Sequence, residues 1–594
     1  MKTRFPAPRL RPAMFALALL PAMIACAGKE DGNGTARADS STANAVITTP
    51  VEPHWTLSGA LLAGRLAYSE GDDVMAAKLL GLAREAAPGD QALAARTLAA
   101  LVSAGDFKAA VKLAADIKAQ GAKTPLIGLV EVVDRAQAKD FAGAKTALAS
   151  ISDDGIGRIA KPFIAAWIEI GIGGKLEPAV DALAPLSEFN GLGAVVTQHT
   201  ALMEDHLGRT QAALDRMKGA ADAGANSARF IELYVEFLRR TGDQGDATAF
   251  LDLFRSSNAG IAGAIADPLA DRLKQPAEKG PIVTTPTQGL AEAFFDLGSI
   301  LQSENVEDQA KVFGRLALEL DPKLDIARML LGNLMQQRER CADAIEMYRT
   351  IPSDSIYRWS GEISIADCQQ KLEDVDGAIA TLRGLVKARP GRTEAVVELG
   401  DLFRREKRFA EAVDAYDQVI ATIKEPKAED WALFYSRGVA HERNKQWDKA
   451  EPDFKKALEL SPDQPYVLNY LAYTWVERRE NLDEALKMLN NAVEQRPEEG
   501  FIVDSLGWAY FQLGEFDKAV TYLERAVELQ PTDPVLNDHL GDAYWRVGRK
   551  NEARFQWHRS LSFKPEEDQI GLIQEKLKTG LGDAKPEATT PSGG

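Results

Sequence analysis

The sequence predicts an all-α chain built as a solenoid of stacked antiparallel helical hairpins, and three observations predict it. A small residue recurs as Ala310, Ala344, Ala378, Ala412, Ala450, Ala485, Ala519 and Ala553, with spacings of 34, 34, 34, 38, 35, 34 and 34. Self-similarity at a fixed period of this length marks a repeat architecture. A second small residue sits twelve or thirteen positions earlier, at Gly298, Gly332, Ala366, Gly400, Gly438, Ala472, Gly507 and Gly541. Prolines at 322, 390, 462, 497, 531 and 565 then punctuate the period.

Each letter has a mechanical reason. The paired small residues let two helix backbones approach closely. Leu297, Leu331, Leu399, Leu506 and Leu540, with Tyr348, Tyr416, Phe454 and Leu523, fill the core around that contact. Proline lacks an amide hydrogen and disfavours helix in the residue before it, so it ends the second helix of a unit. One hairpin cannot bury its own apolar face; stacked neighbours supply the missing surface.

In chain order, Lys2, Arg4, Arg9 and Arg11 charge a leader that runs into the apolar stretch Ala13 to Ala25. That stretch is too short to span a bilayer, which takes about 20 residues, and suits a signal-peptide core over residues 1–25. Met23-Ile24-Ala25-Cys26 resembles a bacterial lipobox, which implies acylation of Cys26 and an outer-membrane lipoprotein facing the periplasm. Ala27, directly after the cysteine, resembles the sorting signal for that membrane. Ala25-Cys26-Ala27 also fits ordinary signal peptidase, which would release a soluble periplasmic chain, so both readings stay open. Residues 26–55 read as a polar, disordered tether.

Residues 56–265 are rich in alanine and read as six degenerate hairpins. Ala76, Ala110, Ala144, Ala179, Ala213 and Ala247 keep the period, each after a turn such as Ala104-Gly105-Asp106. Residues 266–290, with Pro268, Pro276, Pro281 and Pro286, interrupt the register and are expected to form a linker or hinge between two solenoid segments. Eight regular repeats follow over 291–567. Ile570, Ile573 and Leu577 then share one face of a capping helix over 568–580, and 581–594 reads as a disordered tail.

Composition narrows the function. Acidic residues outnumber basic ones 87 to 70, a formal charge of −17, which excludes a phosphate-tracking nucleic-acid binder. No apolar stretch is long enough for a transmembrane helix, so the only membrane attachment in view is the lipid on Cys26. Three cysteines cannot build a multi-cysteine zinc site. His199 and His206 are seven apart, a poor ligand spacing, and read as surface histidines. Gly171-Ile172-Gly173-Gly174-Lys175 fails the phosphate-loop spacing, with Leu176 where Ser or Thr is needed. No catalytic constellation or cofactor signature emerges, so a non-enzymatic chain without cofactor or metal is expected. Cys341 and Cys368 fall on neighbouring helices; the compartment would permit a disulfide, and two buried reduced thiols are the alternative.

Leu506-Gly507, Tyr510, Gly514, Ala519, Leu523, Ala526 and Pro531 recur as Leu540-Gly541, Tyr544, Gly548, Ala553, Trp557, Ser560 and Pro565. This pattern resembles the tetratricopeptide repeat. The wording Asn469-Tyr470-Leu471-Ala472-Tyr473, Asp504-Ser505-Leu506-Gly507-Trp508 and Asp538-His539-Leu540-Gly541-Asp542 is similar to bacterial envelope proteins of that family, often lipoproteins. The resemblance implies a right-handed superhelix whose first helices line a concave groove, through fixed positions of each repeat. Those positions collect Asp401, Arg404, Arg405, Tyr435, Arg443, Asn469 and Tyr473. The last two repeats add Asp504, Trp508, Phe511, Gln512, Asp538, Asp542, Trp545 and Arg546. Tyr473, Trp508 and Trp545 would form an aromatic ladder there, and aromatic and Arg side chains are the usual anchors of an interface.

The expected function is a scaffold or adaptor of the bacterial envelope that holds a segment of another envelope protein in this groove. The alternative is a periplasmic component of polysaccharide or lipopolysaccharide assembly or export. A ladder of rings also suits sugar stacking, which keeps a glycan ligand open.

Overall fold

The computed structural model describes residues 55–257 and 262–582; the leader, Cys26, the tether up to residue 54 and the tail beyond Gly582 lie outside the described residues. The described residues form thirty α-helices and two short 3-10 turns, with no strand. Six hairpins run from Leu57–Ser69 with Asp73–Ala86 to Ala228–Thr241 with Gln244–Ser257, followed by the single helix Ala262–Leu273. Eight more run from Pro286–Ser303 with Glu307–Leu320 to Pro534–Arg546 with Lys550–Ser562, and the helix Glu567–Thr579 closes the array. The protein is an all-α solenoid.

Local chemistry sets these boundaries. Asp72, Asp90, Asp106 and Asp140 each accept a hydrogen bond from the backbone amide three residues on, satisfying a free donor at a helix start. The small residue of each first helix is a requirement of close approach. A β-carbon at Gly332 would fall 2.3 Å from the Tyr348 ring, and one at Gly541 would fall 2.5 Å from Trp557. The turn between paired helices needs one left-handed residue, which is Gly514 or Gly548 in the last repeats and Lys407 (φ 57°) or Lys445 (φ 59°) in earlier ones.

Residues 266–290 differ from the expected linker. Helix Ala262–Leu273 occupies their first part, carrying Pro268 inside it. Val283 is buried, its carbonyl lies 3.0 Å from His206 Nδ1, and the amide of Ile282 donates to Asp205. Thr285 and Gln288 then form a reciprocal cap on the next helix. The prolines interrupt the helical register without freeing the chain, because the backbone groups they leave unpaired are met by side chains of the preceding array.

The hairpin that follows does more than continue the stack. Pro286–Ser303 packs on Gly157–Gly173 and Gly193–His206, and Glu307–Leu320 packs on Gln91–Ala104 and Pro125–Gln137. All four are first helices of their hairpins, so this hairpin fills the inner face of the N-terminal array. Trp167 donates to His199 Nδ1 (3.0 Å), and His199 Nε2 lies 3.1 Å from Asp296 of the inserted hairpin. His199 is fully buried, not a surface residue, because it bridges the two arrays. Farther along, Lys311 pairs with Asp73 (2.7 Å) with both side chains buried. Arg229 is held between Glu232 and Glu292, and Glu232 also accepts from Tyr357.

One apolar core therefore runs unbroken from Ala94 to Cys368 across the stretch read as a hinge. A separate core spans Phe434 to Ile573. Cys341 and Cys368 are free and buried in the first core. Burial, and then hydrogen bonding to Cys341, pushes the Cys368 thiol well above its ordinary range. The structure holds these residues as reduced thiols rather than the disulfide considered above.

Candidate partner-binding groove

The inner face of the N-terminal array is occupied by the chain itself, which leaves the first helices of the later repeats as the available concave surface. The fourth repeat supplies the helix Glu394–Arg405. Arg404 is half-buried there, 3.4 Å from Asp401, which also accepts from the Tyr416 hydroxyl (2.7 Å). Arg405 is exposed and makes no ion pair among the described residues.

In the next helix, Trp431–Arg443, Tyr435 contacts Trp431, Phe454 and Tyr470 with ring centroids 6.0–6.2 Å apart. Burial pushes its hydroxyl up to about 12. Tyr435 therefore packs as core more than as groove lining. Arg443, at the end of the same helix, is exposed. Asn469, on Pro465–Arg478, is buried, and its side-chain oxygen has no hydrogen-bond partner among the described residues. Tyr473 on that helix is half-buried, and burial followed by the carboxylates of Glu477 and Asp504 raises its hydroxyl pKa strongly.

The helix Gly500–Gln512 carries the most ordered part of the surface. Trp508 stacks on His539 at 4.0 Å and on Phe511 at 4.7 Å, both nearly parallel, and its indole nitrogen donates to Glu477. Asp504, buried beneath, lies 2.9 Å from His539 Nδ1. Burial works against the charged imidazole, yet Asp504, with Asp538 and Asp542 farther off, holds His539 above its ordinary pKa. Gln512 is half-buried at the end of the helix, and Phe511 meets Phe516 edge-on.

The last repeat corrects the expectation. Asp538 and Asp542 are buried and share Lys576 of the capping helix, at 2.7 and 2.8 Å. Burial pushes the Asp542 carboxyl up to about 6, with Lys576 opposing and Asp538 adding to the rise. Trp545 donates to the carbonyl of Leu581 (3.1 Å), and Arg546 donates to that of Gly582 (2.7 Å). Asp538 and Asp542 are thus covered by the capping helix, and the half-buried Trp545 and Arg546 are already engaged by the chain's own C-terminal segment. The aromatic ladder is not formed either. Among the described residues no ring contact joins Tyr473 to Trp508 or Trp508 to Trp545; Trp545 instead lies 5.4 Å from Trp557.

The residues that sequence reasoning missed are those set by neighbouring repeats. Glu477 occupies the same repeat position as Arg443 and Gln512, and His539 follows Asp504 by 35 residues, one repeat length plus one. That spacing was a readable signal. Lys576 had none, because it lies outside the periodic region. Among the described residues no three His, Cys, Asp or Glu side chains are placed to hold a metal, and no helix is long and apolar enough to cross a membrane.

Family models described as tetratricopeptide or TPR repeats match residues 365–426, 431–464 and 507–548, within the segment that builds this groove. The chain carries tetratricopeptide repeats. A TPR repeat-containing protein of Pseudomonas aeruginosa is 26% identical over 195 residues, covering 32% of this chain and 32% of that protein. The chain thus matches about a third of that relative's length. Among solved structures, the APC/C hetero-tetramer Cut9–Hcn1 is 15% identical with a TM-score of 0.37, covering 89% of this chain and 96% of that one. A tetratricopeptide repeat protein from Parabacteroides merdae is also 15% identical, with a TM-score of 0.32 and coverage of 48% and 97%. Tetratricopeptide repeats support a role as a protein–protein interaction scaffold.

Proposed function

We propose that the protein is an adaptor of the bacterial envelope, anchored through Cys26, that holds a segment of another envelope protein in the concave groove between Arg404 and Gln512. The observation that carries this reading is the contrast between the two arrays. The N-terminal inner face is filled by the hairpin Pro286–Leu320, whereas Arg405 and Arg443 of the later face stay exposed and Tyr473, Trp508 and Gln512 stay half-buried. Aromatic and Arg side chains on a curved face are the anchors that peptide segments use. The export-and-assembly reading finds less support, since sugar stacking needs a free ring face and Trp508 is already stacked by His539 and Phe511.

The test is a crosslinked recovery of partners from envelope fractions, quantified by mass spectrometry, with the wild type against a Trp508→Ala, Gln512→Ala double variant. Neither side chain is fully buried, so the fold should survive, and helicity and melting of the variant are measured beside the recovery. Loss of a small set of proteins from the variant is the expected outcome. Equal recovery by a folded variant would sink the groove assignment. Palmitate labelling of the wild type but not Cys26→Ser checks the anchor separately.

A further inference from the structure

Exposed cations stand at the groove edge of a strongly acidic protein, and one acidic group of the chain already pairs with one of them. Lys407, in the turn after Glu394–Arg405, forms an ion pair of 3.0 Å with Glu566, which immediately precedes the capping helix. The two are 159 residues apart, so the pair links the fourth repeat of the second array to the end of the solenoid. Hydrogen bonding to Lys407, with Arg443 nearby, holds the Glu566 carboxyl below its ordinary range. Arg405 and Arg443 are exposed and have no ion pair of their own among the described residues. Glu566 opens the acidic run Glu566-Glu567-Asp568 and is the member of it that pairs with Lys407.

We propose that the partner segment is acidic and docks by placing its carboxylates on Lys407 and Arg443, in the position that Glu566 now holds. This rests on the groove reading above and adds the chemistry of the occupant. Three facts converge on it. The chain carries a formal charge of −17, yet Arg405, Lys407 and Arg443 stand exposed at the groove edge, with Glu406 and Glu442 half-buried beside them and accepting from Gln370 and Tyr470. Opposite charge at an interface edge steers association and rejects like-charged partners. Both Lys407 and Glu566 are more than half exposed, so their pair is a weak contact that a competing carboxylate can replace at little cost. Glu566 is then a built-in competitor, and a partner with several carboxylates gains where a single glutamate does not.

The experiment uses the chain without residues 1–26, which retains every described residue, and a fluorescein-labelled peptide of residues 563–570 as the acidic probe. A second probe has Glu566, Glu567 and Asp568 replaced by their amides. Anisotropy should show saturable binding of the acidic probe, weakening as salt is raised. Glu566→Gln in the protein should tighten binding about three-fold by removing the competitor, the scale of an exposed ion pair. Lys407→Glu with Arg443→Glu should weaken it at least about ten-fold. Equal binding of the acidic and amide probes, or no change on charge reversal, would overturn the proposal. In the envelope recovery, loss of partners with Trp508→Ala, Gln512→Ala but full retention with the charge-reversed variant would leave the groove reading standing and remove this one.

Discussion

Gly289 lies against the Trp167 indole so closely that a β-carbon on it would fall 2.1 Å from the ring. The two residues belong to different arrays, one in the inserted hairpin and one in the helix Gly157–Gly173. Their contact is one of close approach in the seam that joins the halves of the solenoid. Trp167 cannot retreat easily, since it is fully buried and its nitrogen is committed to His199.

The first prediction concerns that seam. Gly289→Val should force the two arrays apart, costing about 1–3 kcal/mol as overpacking does. The expected result is faster hydrogen exchange in residues 286–320 and a lower first melting transition, with residues 434–573 unchanged because their core is separate. Uniform destabilisation of the whole chain would show that the two cores are not independent.

The His539–Asp504 pair makes the groove pH-dependent. Because the folded imidazole pKa is raised above its ordinary 6.5, its contribution to stability is fully present below that value. It is lost as pH rises through the higher folded pKa. Asp504→Asn removes the main cause, so NMR titration of the His539 ring should give a lower pKa than in the wild type. An unchanged titration would mean that Asp504 does not set the charge of the ring stacked on Trp508.

Glu398, on the helix Glu394–Arg405, gives the opposite kind of test. Burial, reinforced by Asp401, pushes its carboxyl up to about 7 from 4.5. The folded chain then holds a proton that the unfolded chain releases, so stability falls as pH rises through that window and stays lower above it. Glu398→Gln should raise the melting temperature of this region at pH 8 and leave it nearly unchanged at pH 4. No gain at pH 8 would mean that the ionised carboxylate is better solvated than its surroundings imply.

The repeats were legible because their chemistry is local. The approach of two helices in a hairpin depends on a residue and its partner about sixteen positions away, as Gly332 and Tyr348 or Gly541 and Trp557 show. Such pairs recur in every unit, so the period survives in one sequence. The groove was legible only in part, because repeat position says which residues point inward and not what covers them. Asp538, Asp542, Trp545 and Arg546 hold inward positions, yet the segment from Lys576 to Gly582 lies on them.

The helical hairpins, their period and the residues that let the paired helices touch are all encoded locally, since each follows from contacts within one or two repeats. Where the arrays meet and which inner face is left open emerge from the assembled fold. Those outcomes turn on contacts such as Lys311 with Asp73 and Lys407 with Glu566, which join residues 238 and 159 positions apart. The superhelix accumulates a small rotation at every repeat. Contacts at that range therefore depend on the sum of many small angles, and no local pattern of residues encodes a sum.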